Sequence, residues 1–172
     1  AEMAHHFDLP NFGTAGTSDA QTFDGQAVLE AASSCMMAYL IGANLIHDVG
    51  YLEFGLTYSF DLLVLCNEFI GQVRRLMEGI RIDKDQLAVD VIKQVGPGGH
   101  FLDSEHTFRH FRDNWQPELT DRKTHARWQA DGAKTMGQRA REKLSHILAN
   151  HRPEPLPAAA DAEIDRILQR GR

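Results

Sequence analysis

Residues 95–111, VGPGGHFLDSEHTFRHF, contain three histidines whose imidazoles could bind a metal ion or a ligand. His106 and His110 lie four residues apart, so a helix would place both imidazoles on one face, where they can bind one metal ion. The zinc-binding helix motif of metalloproteases has a glutamate directly after its first histidine, but Thr107 follows His106 here. No further ligand lies at a recognisable spacing. We therefore expect no metal ion and local hydrogen bonds for both histidines, with a metal-dependent hydrolase as the weaker alternative.

The glycines before these histidines allow three interpretations. A phosphate-binding loop would end in Gly-Lys-Ser/Thr, but His100 and Phe101 follow Gly99 here. A helix end followed by a turn explains Gly96 and Pro97, because proline cannot continue the hydrogen-bond ladder. The third interpretation concerns Gly98, Gly99 and His100, which could form a loop that approaches a ligand pocket closely, since glycine has no Cβ.

A second group of polar and aromatic residues follows the second predicted strand, and its members are His47, Asp48, Tyr51, Glu53 and Phe54. In α/β proteins, ligands bind at the carboxyl ends of the strands. Aromatic rings beside carboxylates suit a quaternary or tertiary ammonium ion, through cation–π attraction and charge. The alternative is a hydrogen-bonded core histidine with packed aromatic rings. No Ser-His-Asp or Cys-His arrangement can be argued, so we expect no nucleophile from the protein.

Composition narrows the function classes. The chain has 172 residues and a net charge of -6, which argues against general nucleic-acid binding because that requires a basic surface. The two cysteines, Cys35 and Cys66, fall in apolar helical patterns, so we expect reduced, buried thiols in a cytoplasmic protein. The apolar run at residues 27–45 is too short and too polar for a membrane span, since Glu30 and two serines interrupt it.

The secondary-structure elements predicted around these residues fall into two groups. Strand, helix, strand, helix is the predicted order of the first half, at residues 9–12, 25–41, 43–49 and 59–78, with Asp24 and Ser59 as helix caps. Only helices are predicted afterwards. One begins at Asp83 and ends at Gly96, one begins at Asp103 or Ser104 with Phe108, Phe111 and Trp115 on its core face, and others cover residues 124–131, 135–150 and 161–169.

Two strands are too few for a stable parallel sheet, because such sheets are covered on both faces and usually contain more strands. We therefore expect either the end of a larger α/β chain, such as the last βα units of a barrel, or a homo-oligomer whose copies complete the sheet. Residues 1–79 would be those βα units, residues 80–151 a helical extension packed on them, and residues 152–172 an extended link and a tail helix.

Two long stretches carry a family resemblance. Residues 42–76 (GANLIHDVGYLEFGLTYSFDLLVLCNEFIGQVRRL) and 90–119 (DVIKQVGPGGHFLDSEHTFRHFRDNWQPEL) closely resemble the carboxyl-terminal part of the trimethylamine methyltransferase family. The segments LPNFG and RPEPLP resemble it as well. The resemblance implies an α/β fold, namely the carboxyl-terminal portion of a TIM (β/α)8 barrel with two βα units and a helical extension.

The resemblance also implies an activity. The family transfers a methyl group from a methylated amine to a cob(I)alamin-type corrinoid on a separate corrinoid protein, so this chain would bind no cofactor directly. In this family the archaeal trimethylamine enzyme uses pyrrolysine, whereas relatives without it act on quaternary amines. No pyrrolysine is present in this sequence, so the resemblance favours a quaternary amine such as glycine betaine over trimethylamine. His47, Asp48, Tyr51, Glu53 and Phe54 would line the substrate pocket, and the loop at Gly98, Gly99 and His100 would cover the barrel mouth or meet the corrinoid partner.

A second class of function stays open. The chain could be a non-catalytic remnant or assembly module that keeps the fold of the family. A barrel needs about eight strands to enclose a site, and only two are predicted, so we expect this piece alone to be inactive.

Overall fold

The computed structural model describes residues 1–170, which form a mixed α/β fold in which helices predominate. After α1 (Glu2–His6), strand β1 (Phe12–Thr14) leads through α2 (Gly25–Leu40) to β2 (Leu45–His47). β1 and β2 pair in parallel, with Phe12 opposite Leu45 and Thr14 opposite His47. The predicted strand–helix–strand order is therefore confirmed, although the first strand begins at Phe12 and not at Leu9.

The segment after β2 forms a small hairpin. β3 (Tyr51–Leu52) and β4 (Thr57–Tyr58) form a small antiparallel hairpin. A single 3-10 turn (Glu53–Gly55) connects its two strands. This hairpin leads directly into α3 (Phe60–Met77), the longest helix that the structure describes.

The caps of the two long helices are local and follow the predictions. The Asp24 carboxylate accepts hydrogen bonds from the amides of Gln26 and Ala27 at the start of α2. The Ser59 hydroxyl accepts one from the amide of Leu62 at the start of α3. Each bond satisfies a first-turn amide that has no partner within its own helix.

Small side chains bring α2 close to α3. The buried residues of α2 are Ala27, Ala31, Cys35 and Ala38, and those of α3 include Leu62, Cys66 and Val73. All of these residues except Val73 belong to two apolar clusters. One cluster also contains Leu52 of β3, and the other packs against Ile46 of β2. The opposite face of α2 is not covered in this chain, because Leu29 is 68% exposed and Met37 is 56% exposed.

The helical half begins with two short helices. A single helix was predicted from Asp83 to Gly96, but the structure has α4 (Lys84–Leu87) and α5 (Val89–Val95), separated by Ala88 in the left-handed region at φ 48°. α6 (Glu105–His110) follows, with Ser104 as its cap. Phe108 and Phe111 were predicted to be core anchors, but they are 72% and 50% exposed, so that prediction is wrong.

The remaining helices are α7 (His125–Ala130), α8 (Met136–Asn150) and α9 (Ala158–Arg170), close to their predicted positions. α8 begins with a capping box formed by Thr135 and Gln138, and its Ala140 packs with Leu65 of α3 and Leu119 in a third cluster. The last two residues of the predicted tail segment 152–172 lie outside the described residues. Within residues 1–170, none of the helices combines the length and the apolar character that crossing a bilayer requires.

Candidate functional site

The parallel register of the sheet brings a polar group to the carboxyl ends of β1 and β2. The Nδ1 atom of His47 lies 2.8 Å from Oδ1 of Asp48. The Thr14 hydroxyl donates to Oδ2 of Asp48 at 3.3 Å and lies 3.3 Å from Nε2 of His47. His47 and Asp48 were predicted as site residues. Thr14 was missed, although strand order and parallel pairing together place it opposite His47.

One face of the sheet carries this group and leaves its side chains uncovered. Residues two apart on a strand share a face, so Phe12, Thr14, Leu45 and His47 lie on one side. The rings of Phe12 and His47 stack in parallel planes with centroids 4.2 Å apart. Phe12 is 62% exposed and Leu45 is 60% exposed. Ile46 points to the other side, where it packs against the cluster that contains Cys35 of α2.

The turn that follows Asp48 depends on a glycine. Gly50 has φ +96°, and a Cβ there would lie 3.2 Å from both the Tyr58 hydroxyl and the Cβ of Leu63. Its amide donates to the carbonyl of Gly16 at 2.8 Å, and the amide of Ser18 donates to the carbonyl of Tyr51 at 2.9 Å. The chain after β1 therefore runs beside the chain after β2 and fixes the start of the hairpin.

Three aromatic rings line this hairpin. Tyr51 and Tyr58 meet edge to face at 4.9 Å, and Tyr58 meets Phe60 in the same way at 5.3 Å. Burial, followed by the proximity of Tyr51, raises the pKa of the Tyr58 phenol above its usual value. The Tyr58 phenol is therefore harder to ionise than that of an ordinary tyrosine.

The hairpin tip carries the last two predicted pocket residues in strained backbone. Glu53 and Phe54 have φ values of 50° and 55°, a backbone region that residues other than glycine seldom adopt. Each such residue costs about 1–3 kcal/mol of conformational free energy. Glu53 accepts a hydrogen bond from the Thr57 hydroxyl at 2.8 Å. Phe54 is 73% exposed and Leu56 is 80% exposed, so an apolar tip projects from the described chain.

The predicted glycine loop lies apart from this group. Gly96 and Gly98 adopt left-handed φ values of 67° and 78°. Gly99 and His100 line an open cleft of about 610 Å³, together with His106 and Arg109. Among the described residues, no hydrogen bond or ion pair joins Gly98, Gly99 or His100 to the group at His47 and the hairpin.

The two cysteines are buried and unpaired by a disulfide, as predicted. The thiol of Cys66 lies 3.9 Å from the carbonyl oxygen of Gly16 in the core. A hydrogen bond with Cys35, together with burial, raises the pKa of the Cys66 thiol. Both thiols are therefore core groups, held together by one sulfur hydrogen bond.

A third polar group joins α4 to α6. Asp85, His106 and His110 each direct a ligand-type atom into a common space. Asp85 was not singled out from the sequence, because it lies 21 residues before His106 and only the fold brings the two together. The fold therefore places a carboxylate beside the two histidines, which the spacing along the sequence did not indicate. The expectation that these histidines bind no metal ion stays a prediction.

Comparison with known proteins gives a consistent family assignment. A family model described as trimethylamine methyltransferase (MTTB) matches residues 1–172. The chain is 37% identical over 169 residues to trimethylamine methyltransferase MttB of Desulfitobacterium hafniense strain DCB-2, which covers 98% of this chain and 34% of that protein.

Two further relatives give similar values. Glycine betaine methyltransferase of Desulfitobacterium hafniense strain Y51 is 36% identical over 171 residues, covering 98% of this chain and 35% of that protein. Trimethylamine methyltransferase MttB of Methanosarcina thermophila is 36% identical over 169 residues, covering 98% and 34% respectively. The chain thus spans about a third of the length of the curated relatives that it matches. Because the family model matches its whole length, the chain belongs to the trimethylamine methyltransferase family.

Proposed function

We propose that this chain forms the last βα units of a TIM-barrel methyltransferase that takes a methyl group from a methylated amine. One observation carries the proposal: the sheet has helices on one face and an uncovered polar and aromatic face on the other. In a barrel, helices lie outside the strands and the opposite face points to the interior, where the other strands cover it. Phe12, Thr14, Leu45 and His47 have the placement of such interior residues.

The methyl donor in this proposal is a quaternary amine of the glycine betaine type. A permanently charged trimethylammonium group is attracted both by aromatic faces and by carboxylates. The rings of His47 and Tyr51 and the carboxylates of Asp48 and Glu53 border the strand ends, where barrel enzymes bind substrate. The name of one relative, glycine betaine methyltransferase, supports the same choice.

The acceptor in this proposal is a corrinoid carried by a separate protein, whose cobalt(I) supplies the nucleophile. The residues at the strand ends fit a reaction in which the protein supplies no nucleophile. The cysteines are buried in the core, and the group at His47 offers contacts that position a substrate. The chain's own residues would hold the ammonium group, orient one methyl group and exclude water. The exposed Phe54 and Leu56 at the hairpin tip would give the approaching corrinoid protein an apolar surface.

The remaining segments have roles in the same proposal. Residues 80–151 would pack on the barrel as a helical extension. The loop at Gly98, Gly99 and His100 would cover the barrel mouth or contact the corrinoid protein. Copies of the protein would associate as a homo-oligomer.

Calorimetry with a matched pair of ligands tests the substrate. The protein is expressed at its full encoded length and titrated with glycine betaine and with 3,3-dimethylbutanoate, which replaces the charged nitrogen by carbon at almost the same shape. We expect the wild type to bind glycine betaine more tightly than 3,3-dimethylbutanoate. The variants Asp48→Asn, Tyr51→Ala and Phe54→Ala should each bind glycine betaine more weakly than the wild type does. Asp165→Asn, at an exposed position of α9, serves as the matched control and should bind like the wild type. Equal affinity for the two ligands, or unchanged affinity in all three variants, would contradict the proposed pocket.

Methyl transfer to free cob(I)alamin, followed by its absorption spectrum, tests the reaction itself. We expect methylcobalamin to form with glycine betaine as donor and to form more slowly in His47→Ala. Binding of glycine betaine without methyl transfer to free cob(I)alamin or to a corrinoid protein would instead favour the non-catalytic module.

A further inference from the structure

The loop at residues 96–104 is flanked by a carboxylate and two imidazoles that face one another. Asp85 lies on α4, and His106 and His110 lie one turn apart on α6. Oδ2 of Asp85 is 2.9 Å from Nε2 of His110, and its Oδ1 is 4.0 Å from Nε2 of His106. All three ligand-type atoms lie within 4.8 Å of one another. The space between them is therefore of the size that one ion would fill.

A second carboxylate supports the orientation of His110. Nδ1 of His110 lies 2.6 Å from Oδ2 of Asp113, while its Nε2 faces Asp85. In metal sites, a ligating histidine donates its other ring N–H to a carboxylate or a carbonyl in this way, which fixes the ring and leaves the ligating nitrogen free of a proton. The contact of His110 with Asp113 has this form. Nε2 of His110 lies at hydrogen-bond distance from the Asp85 carboxylate, so the proton on Nε2 is released to solvent when the ion binds.

We propose that Asp85, His106 and His110 bind a divalent transition-metal ion of the Zn²⁺ class. Two imidazoles and one carboxylate are a ligand set of zinc and related ions, and they leave at least one position open for water. Mg²⁺ and Ca²⁺ prefer sets made of oxygen atoms alone, so this site discriminates against them. The proposal is independent of the methyl-transfer function and concerns a different part of the chain.

The site closes around an ion by a small movement. Bonds of about 2.1 Å require ligand atoms no more than about 4.2 Å apart, and the widest separation allowed by the cluster is 4.8 Å. The histidine side chains are 18% and 22% exposed and are held by α6, whereas Asp85 is 49% exposed. Asp85 is therefore the ligand that moves. The N–H of His106 that now faces the Asp85 carbonyl at 2.7 Å gives way to the metal bond.

An arginine competes with the ion. Nη2 of Arg109 lies 3.3 Å from Oδ1 of Asp85, so the guanidinium already neutralises part of the carboxylate charge. A metal ion that binds Asp85 must displace this contact. Removal of the guanidinium should therefore tighten metal binding, whereas loss of any ligand should weaken it, and this difference in direction separates a metal site from a simple ion-pair network.

The position of the site gives it a structural role. α4 has four residues and α6 has six, which is too short for either helix to be stable by itself. A metal ion bound by both would hold them together. His106 also lines the cleft that Gly99 and His100 border, so the ion would fix the base of this loop and present its open position to the cleft.

The test uses Zn²⁺ and Co²⁺ with the protein at its full encoded length, freed of metal by a chelator. Calorimetry with ZnCl₂ should give one ion per chain, and Co²⁺ should give the visible absorption bands of a four- or five-coordinate site. His106→Gln removes the imidazole but keeps an N–H donor for the Asp85 carbonyl. Each of the three single variants His106→Gln, His110→Gln and Asp85→Asn should lose both the heat of Zn²⁺ binding and the Co²⁺ bands. Arg109→Gln should bind Zn²⁺ more tightly, and Asp113→Asn about 10- to 100-fold more weakly.

Controls keep the result decisive. His146→Gln, on α8, should bind Zn²⁺ like the wild type, and MgCl₂ should give no heat at the site. Circular dichroism of each metal-free variant establishes that it is folded, and Asp113→Asn and Arg109→Gln leave all three ligands in place. Zn²⁺ binding that survives His106→Gln and His110→Gln, or that is lost only when His5 and His6 are replaced, overturns the proposal. Absence of Zn²⁺ binding at micromolar concentration in the wild type overturns it as well.

Discussion

Glu68 on α3 binds the backbone amide of Leu119, 51 residues later in the chain, at 2.8 Å. The same carboxylate also accepts from the amides of Glu118 at 3.0 Å and Thr120 at 2.7 Å. Glu68 is only 8% exposed, and Leu119 packs beside it against Leu65 and Ala140. One buried carboxylate thus attaches the segment before α7 to the helix that follows the hairpin.

We expect Glu68→Gln to lower the free energy of unfolding by about 1–3 kcal/mol. Glutamine keeps the size but offers one acceptor oxygen, and its NH₂ group would face an amide that also donates. Urea denaturation measures the change. Glu154→Gln, at an exposed position of the link before α9, is the control and should unfold like the wild type. Equal stability of the two variants would contradict the role assigned to Glu68.

Gly16 is predicted to tolerate no side chain. Its φ is +74°, and a Cβ there would lie 3.0 Å from Cγ1 of Val49 and 3.2 Å from the sulfur of Cys35. The left-handed backbone alone costs about 1–3 kcal/mol for a residue with a Cβ, and the contacts add to it. We expect Gly16→Ala to lower the midpoint of thermal unfolding.

The matched control for this glycine is Gly25→Ala at the first position of α2. No atom lies within 4 Å of the Cβ that it would introduce, and its φ is not left-handed. Alanine there should stabilise the protein by about 0.4–1 kcal/mol, because it reduces the conformational freedom of the unfolded chain. Opposite changes in the two variants are expected, and a similar change in both would show that the conformation of Gly16 is not what matters.

The carboxylate of Glu30 gives a pH-dependent prediction. The Ser18 hydroxyl, at 2.6 Å, and then the Asp19 amide, at 2.9 Å, lower the pKa of Glu30 below its usual value. A group with a lowered pKa in the folded state stabilises the fold at pH values above the pKa of the unfolded chain. This stabilisation is lost as the pH falls through the lower folded value.

We therefore expect Ser18→Ala to move the pKa of Glu30 upward, toward that of an ordinary glutamate. NMR titration of the Glu30 carboxyl carbon measures the shift directly. The difference in stability between wild type and Ser18→Ala should be larger at neutral pH than at pH values below the folded pKa. Ser145→Ala, whose hydroxyl bonds only within α8, is the control. An unchanged Glu30 titration in Ser18→Ala would refute the prediction.

The features that the sequence predicts well are those with local causes. Helix starts at Asp24, Ser59 and Thr135 depend on a side chain that bonds an amide two or three residues later, so the signal lies within one turn. The parallel pairing of β1 and β2 follows from the strand–helix–strand order, and it places His47 at the carboxyl end of the sheet.

The features that the sequence misses depend on distant contacts. The break between α4 and α5 falls at Ala88, an alanine in left-handed backbone, for which local propensity gives no warning. Phe108 and Phe111 have the spacing of a core face, but both stay exposed within residues 1–170. Thr14 and Asp85 join their groups through pairing and packing across the chain, 33 and 25 residues from His47 and His110.

The last prediction concerns Gly71 and Trp115, which meet on the outer side of α3. A Cβ at Gly71 would lie 2.8 Å from Nε1 of the indole, so the ring must move if alanine is introduced. Trp115 is only half-buried, so it can shift, and we expect a cost near the low end for overpacking, about 1 kcal/mol. The gain from replacing a helical glycine is about 0.5–1 kcal/mol. The two nearly cancel, so stability should change little.

Fluorescence should nevertheless change in Gly71→Ala, because the displaced indole becomes more exposed to water and its emission moves to longer wavelength. Trp128 is the other tryptophan, so the measurement uses a Trp128→Phe background. Gly137→Ala in α8 is the matched helical control, since its new Cβ would meet only Phe23 at 3.4 Å. That control should gain stability with unchanged emission, whereas an unshifted Trp115 emission in Gly71→Ala would mean that the indole does not pack against this glycine.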